Sequence, residues 1–141
     1  MTNVQGTFDG ELRKHLTLRY ANLNGVKCKT EELTAWTKKG EKFNVCRKDR
    51  TGCRKESGGG VAVIAKKDLR TSRAVEYEVD GLELMWLKIV GLRKVALVGV
   101  LYAPGYYEEV FAKLSRSLES ISPYLRRNLI LVGDFSCPDI D

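Results

Sequence analysis

At 141 residues, with 43% hydrophobic and 30% charged side chains, the chain has the size and balance of one folded domain or part of one, which sets aside disorder as the default. No stretch approaches the roughly 20 apolar residues of a membrane span, and Cys28, Cys46, Cys53 and Cys137 form no C-x-x-C pair beside the single His15, so a structural zinc site is not expected. The net charge of +6 is concentrated, because Lys38 to Arg73 holds 12 basic and 4 acidic side chains while the remainder holds 12 and 14. A basic segment on a near-neutral body reads either as a contact for a polyanion or as a solvated loop that keeps the protein soluble.

Residues 1–15 are polar and unpatterned and read as an unstructured lead-in without the apolar run of a leader. With cysteines expected to be reduced, this points to an intracellular protein, in nucleus or cytoplasm, with no membrane attachment and no small-molecule cofactor. Leu16 to Asn22 alternates apolar and polar positions and predicts a strand, closed by the Asn24-Gly25 turn. Thr30 to Lys39 predicts a short helix, with Thr30 as its cap, Glu31 and Glu32 at its positive end, and Leu33 and Trp36 on one face.

Phe43 to Arg47 is a short strand candidate that runs into the basic stretch RKDRTGCRKES. Gly58-Gly59-Gly60 then leads into Val61 to Ala65, an apolar run of the buried-strand kind. The triple glycine lacks the lysine and following helix of a phosphate-binding loop and reads as an entry to a tightly packed strand. Ala74 to Val79 alternates and predicts a strand, which Asp80-Gly81 turns into a hairpin with Leu84 to Val90. Val95 to Tyr102 is a second buried strand, ending at Pro104-Gly105.

From Tyr107 to Ile121, the residues Tyr107, Val110, Phe111, Leu114, Leu118 and Ile121 recur at three- and four-residue steps, the apolar stripe of a helix. Pro123 marks its end. Leu129 to Val132 is a last buried strand, running into Gly133-Asp134-Phe135-Ser136. Strands in pairs with helices interposed predict an α/β sandwich with a mixed sheet.

Four pieces in order carry a resemblance. They are Asn22-Leu23-Asn24-Gly25; Arg47-Lys48-Asp49-Arg50 ahead of Gly58-Gly59-Gly60-Val61-Ala62-Val63; Leu101-Tyr102-Ala103-Pro104; and Leu131-Val132-Gly133-Asp134-Phe135-Ser136. Each is weak alone, but the ordered set resembles the endonuclease domains of non-LTR (LINE-type) retrotransposons, in the endonuclease/exonuclease/phosphatase superfamily. Those domains read N-x-N-G, a strand ending in a catalytic Glu, R-x-D-R…G-G-G-V-A, Y-x-P, G-D-F-N, and later an Asp and S-D-H. The resemblance spans residues 16–141 and implies a four-layer α/β (α+β) sandwich with a mixed or antiparallel sheet and flanking helices.

The implied chemistry is hydrolysis of a DNA phosphodiester assisted by Mg²⁺, which offsets charge growing on the scissile phosphate. Asn22 matches the Asn that helps hold metal and phosphate, Tyr102 the Tyr that contacts the phosphate region, and Asp134 the Asp that orients water or assists the leaving group. Ser136 stands where the family has Asn; one lost donor at such a site costs roughly 10²–10³ in rate. Where the family has the Glu-bearing strand, only Gly40-Glu41-Lys42 stand, and no apolar run precedes Glu41. The later Asp and S-D-H do not follow Ser136, and His15 lies before the first motif.

Residues 16–141 thus read as a partial domain, missing one strand near 40–42 and the C-terminal part, whose activity is expected to be lost. The alternative is a non-catalytic nucleic-acid-binding remnant that uses the basic segment 38–73 through Arg47, Lys48, Arg50, Arg54 and Lys55. The plainer readings stay beside these. Asp134, Asn22 and Asn24 are also ordinary turn residues, and Tyr102 is an ordinary strand residue.

Overall fold

A computed structural model describes residues 2–6, 16–20, 43–49, 60–91, 94–103 and 108–135. The expected helix at Thr30 to Lys39, with Trp36, lies outside them, as do the Asn24-Gly25 turn and Pro104 to Tyr107. The fold is a mixed α+β arrangement. Strands β1 (Thr2–Gly6) and β2 (Leu16–Tyr20) pair antiparallel, as do β3 (Phe43–Lys48) and β4 (Val61–Lys66). A four-stranded sheet follows the order β5 (Arg70–Arg73), β6 (Leu84–Val90), β7 (Val95–Tyr102) and β8 (Leu129–Asp134). Within it β6 runs antiparallel to both neighbours, and β7 and β8 run parallel. Helices α1 (Glu108–Ser120) and α2 (Pro123–Arg126) connect the parallel pair.

The long apolar runs of β6 and β7 follow from burial on both faces, because successive side chains in a strand point to opposite sides. Leu84, Trp86, Leu97 and Leu101 face one side, where Leu114 and Ile121 of the helix stripe and Leu125 of α2 cover them. Met85 and Val100, with Val132 of β8, face the other, where Val61 of β4 closes over them and Cys46 and Val63 pack at the margin. Each fully buried Leu, Ile or Val contributes about 1.5–3 kcal/mol relative to exposure. These two layers of contact hold the helices on one side of the sheet and the β3–β4 pair on the other.

Two expectations need correction. The stretch read as a lead-in contains β1, whose ladder with β2 matches Thr2 to Tyr20 and Gly6 to Leu16. Backbone pairing, not an apolar pattern, makes that strand, so periodicity does not reveal it. Ala74 to Val79 is not a strand, since Val75–Tyr77 forms a 3-10 turn with Tyr77 N–H donating to the Ala74 carbonyl at 3.2 Å. The place beside β6 is taken by Arg70–Arg73, a polar edge strand of the kind that resists pairing with other chains. The Asp80-Gly81 turn forms, with Gly81 at φ +70°, but it leads from the 3-10 turn into β6 rather than closing a hairpin. Pro123, expected to mark the end of the long helix, also opens α2 as its first residue.

Candidate functional site at the strand ends

The sheet register sets the site. The last pair of the parallel β7–β8 ladder is Tyr102 with Asp134. Ala103 N–H continues the ladder to the Asp134 carbonyl at 2.8 Å, and Tyr102 N–H donates to the Glu83 carbonyl at 2.9 Å. Glu83, Tyr102 and Asp134 therefore form a row across β6, β7 and β8 at one end of the sheet. By strand alternation from Met85, Val100 and Val132, all three side chains belong to the face covered by β3–β4.

Gly133 explains why Asp134 lies so close to Tyr102. A Cβ at position 133 would collide with the Leu101 carbonyl group and come within 3.1 Å of the Leu101 nitrogen. Only glycine lets the two backbones approach this far, which is a physical reason for the Gly-Asp order in the motif.

Glu83 stands beside Tyr102 at this end of the sheet, and sequence reading missed it. It is only 8% exposed, and its carboxylate accepts the backbone N–H of Gly60, the last glycine of the triple run. Gly60 itself sits at φ +90°, a conformation that side-chain-bearing residues resist. The entry to β4 is thus fastened to the start of β6, beside Tyr102. The signal was present in the sequence: an acidic residue between Leu82 and Leu84, in an otherwise apolar run, is costly to bury unless something hydrogen-bonds to it.

A second fastening lies next to it. Lys48, at the carboxyl end of β3, donates through Nζ to the Leu84 carbonyl at 3.1 Å and pairs with Glu78 at 3.2 Å. Arg73 grips the same carboxylate with two bonds of 2.8 Å and reaches the Arg47 carbonyl at 3.1 Å. Burial opposes ionisation of Glu78, but the Arg73 hydrogen bonds and the Lys48 charge outweigh it and hold its carboxyl below the usual glutamate value. Lys48 is therefore committed to the interior. Arg47 is exposed, with Nε 3.6 Å from Asp49 Oδ2. The other Asp49 oxygen is buried with no hydrogen-bond partner among the described residues.

Of the residues singled out in the sequence, the fold brings Tyr102 and Asp134 together and sets Arg47 and Lys48 at the same end. Asn22, Ser136, Arg50, Arg54, Lys55, Glu41 and His15 lie outside the described residues. Among the described residues no three His, Cys, Asp or Glu side chains gather as a metal site, and Glu83 already receives the Gly60 amide. The described donors do not make a Mg²⁺ site by themselves. A phenol and a carboxylate at paired positions are a hydrogen-bond donor and an acceptor, the kinds of group that can hold a phosphate oxygen and a water.

No described helix is long and apolar enough to cross a membrane. The sequence matches no family model, and nothing similar to it was found among curated proteins or solved structures.

Proposed function

We propose that this chain is the core of an endonuclease domain of the non-LTR retrotransposon kind, within the endonuclease/exonuclease/phosphatase superfamily, and that it does not cleave DNA by itself. The observation that carries this reading is the direct pairing of Tyr102 with Asp134 at the carboxyl ends of adjacent parallel strands. Two motifs that the resemblance assigns to one site thus lie at paired positions, which supports the reading. The layering supports it: helices lie on one face of the four-stranded sheet and the β3–β4 pair on the other. Gly60 and Asp49 stand at the same end.

Loss of catalysis follows from the residue set. The family's metal-holding Glu strand is replaced by Gly40-Glu41-Lys42, and Ser136 replaces an Asn donor. Mg²⁺ in this family polarises the scissile phosphate; here Asn22 is the matching residue that remains for it, and Asp134 matches the residue that orients water or assists the leaving group. A nicking assay on supercoiled plasmid with Mg²⁺ tests the inactivity, with no nicking expected. Nicking that disappears in Asp134→Ala would overturn it. The origin is tested in the genome, where a reverse transcriptase frame downstream is expected and flanks free of transposon sequence would count against the assignment.

A second reading keeps DNA as partner without chemistry, through the basic segment 38–73. The exposure of Arg47 favours it, and the inward commitment of Lys48 takes one cation away from it. Affinity for duplex DNA that falls steeply with salt is the expected mark of that reading, and affinity indifferent to salt would rule it out.

A further inference from the structure

The two borders of the four-stranded sheet are built differently. β5, at one border, carries an arginine at each end, so two copies of it side by side would crowd their cations together. β8, at the other border, runs from Leu129 to Gly133 with neither charge nor proline before Asp134 closes it. Its register with β7 is one to one, so no bulge turns the strand away. Charges, prolines and bulges are the devices that keep a border strand from pairing with another chain, and Leu129 to Gly133 has none of them. Of the described helices, α1 packs on the 3-10 turn and α2 on β7, inward of this border.

The hydrogen bonds of the ladder fix which backbone groups of β8 face outward. Leu97 N–H donates to the Asn128 carbonyl at 2.9 Å and Ala103 N–H to the Asp134 carbonyl at 2.8 Å, so even-numbered positions turn towards β7. Residues along a strand alternate in this respect, and Leu129, Leu131 and Gly133 turn their N–H and carbonyl groups to the open border. This set is symmetric about Leu131. An antiparallel copy with Leu131 opposite the partner's Leu131 also matches Leu129 with the partner's Gly133, and each outward N–H then meets an outward carbonyl. The two-fold axis of that pairing stands normal to the sheet and keeps both sets of helices on one side. Leu131 therefore meets the partner's Leu131 on the helix side, and Ile130 meets the partner's Val132 on the side of β3–β4. Leu129, Ile130 and Leu131 are only half-buried in one copy and gain cover from the other. Charge favours the same orientation. Exposed Arg126 and Arg127 precede β8 and Asp134 closes it, so antiparallel copies set a basic end beside an acidic one, whereas parallel copies set like beside like.

We propose that the β8 border is a homodimer interface, in which two copies of this chain join their four-stranded sheets through antiparallel β8 strands centred on Leu131. The occupant is a second copy because the border is complementary to itself in hydrogen bonding, in apolar faces and in the charge at its ends. The dimer does not depend on the endonuclease reading, and no result of the nicking assay bears on it.

Sedimentation velocity of the full chain over a concentration series, with amide hydrogen exchange read by NMR on the same samples, is the test. A monomer–dimer equilibrium is expected, with protection at the Leu129 and Leu131 amides rising as dimer forms. The Ile130 and Val132 amides, which face β7, are expected to be protected at every concentration. A monomer at all concentrations would overturn the proposal, as would a dimer whose Leu131 amide stays unprotected. Protection of the Leu131 amide that does not change with concentration overturns it too, because another part of the same chain would then cover the border. Two variants separate backbone pairing from side-chain contact. Leu131→Ala removes the side chain and keeps the outward N–H, whereas Leu131→Pro removes both and leaves the β7 ladder its donors. Leu131→Pro is expected to dimerise at least about tenfold more weakly than Leu131→Ala, with far-ultraviolet circular dichroism checking that both fold. Equal association of the two folded variants would overturn the pairing, and if Leu131→Pro does not fold, the exchange experiment on the parent chain decides alone.

Discussion

Trp86 donates its indole N–H to Ser117 Oγ at 2.8 Å, where both residues are 0% exposed, and the same hydroxyl donates to the Tyr77 carbonyl. One serine therefore joins the sheet, the helix and the 3-10 turn. Ser117→Ala leaves a buried indole N–H and a carbonyl without partners and is expected to destabilise the fold by about 1–3 kcal/mol. Urea unfolding followed by Trp fluorescence checks this, and a midpoint equal to the parent's would show that the relay contributes nothing.

Gly133→Ala and Gly99→Ala separate two kinds of crowding. At Gly99 the obstacles are side chains, with a Cβ 2.7 Å from Trp86 Cη2 and 2.8 Å from Leu131 Cδ1, so repacking absorbs part of the strain. At Gly133 the obstacle is the Leu101 backbone, which cannot move without opening the β7–β8 ladder. Gly99→Ala is expected to cost about 1–3 kcal/mol, and Gly133→Ala more than that. Thermal unfolding of the two variants side by side gives the order, and the reverse order would contradict the close approach at Leu101.

Glu78 makes the fold acid-sensitive. Its carboxyl is held below its ordinary value of 4.5 by Arg73 and Lys48 against the opposing effect of burial. A depressed folded value means the stabilisation is complete above the unfolded value and is lost as pH falls through the folded one. Stability is therefore expected to drop below about pH 4.5, and Glu78→Gln to flatten that part of the profile. Urea midpoints between about pH 6 and 3 are the measurement, and a drop of the same size in Glu78→Gln would assign the acid sensitivity elsewhere.

Glu83 is expected to act through its acceptor oxygen. Glu83→Gln keeps a carbonyl for the Gly60 amide, whereas Glu83→Leu removes it and is expected to cost about 1–3 kcal/mol more. Hydrogen exchange at Gly60 is the local readout. Protection that survives in Glu83→Leu would show that the amide does not depend on that carboxylate.

The elements that could be read from the sequence are those whose apolar pattern is dictated by burial. β6, β7 and β8 are continuous apolar runs because both faces of their sheet are covered, β4 lies against one of those faces, and α1 follows its stripe. The strand-end positions of Tyr102 and Asp134 were legible because both end such runs. What was not legible depends on partners distant in sequence. β1 and β5 are polar and exist through backbone pairing. Ala74 to Val79 has strand-like alternation, yet its place on β6 was already taken by β5. Glu83 and Glu78 became meaningful only once Gly60, Lys48 and Arg73 were found beside them.

The parallel pairing of β7 with β8 has a consequence for the life of the chain before it is complete. β8 joins the sheet only after α1 and α2 have passed over it, so β7 spends that interval as a bare border, apolar on both sides. A nascent or protease-clipped chain ending between Arg126 and Leu129 offers that border, with its open backbone groups, to a second copy of itself. Loss of β8 at this connection is expected to leave β7 as an unprotected edge that favours aggregation.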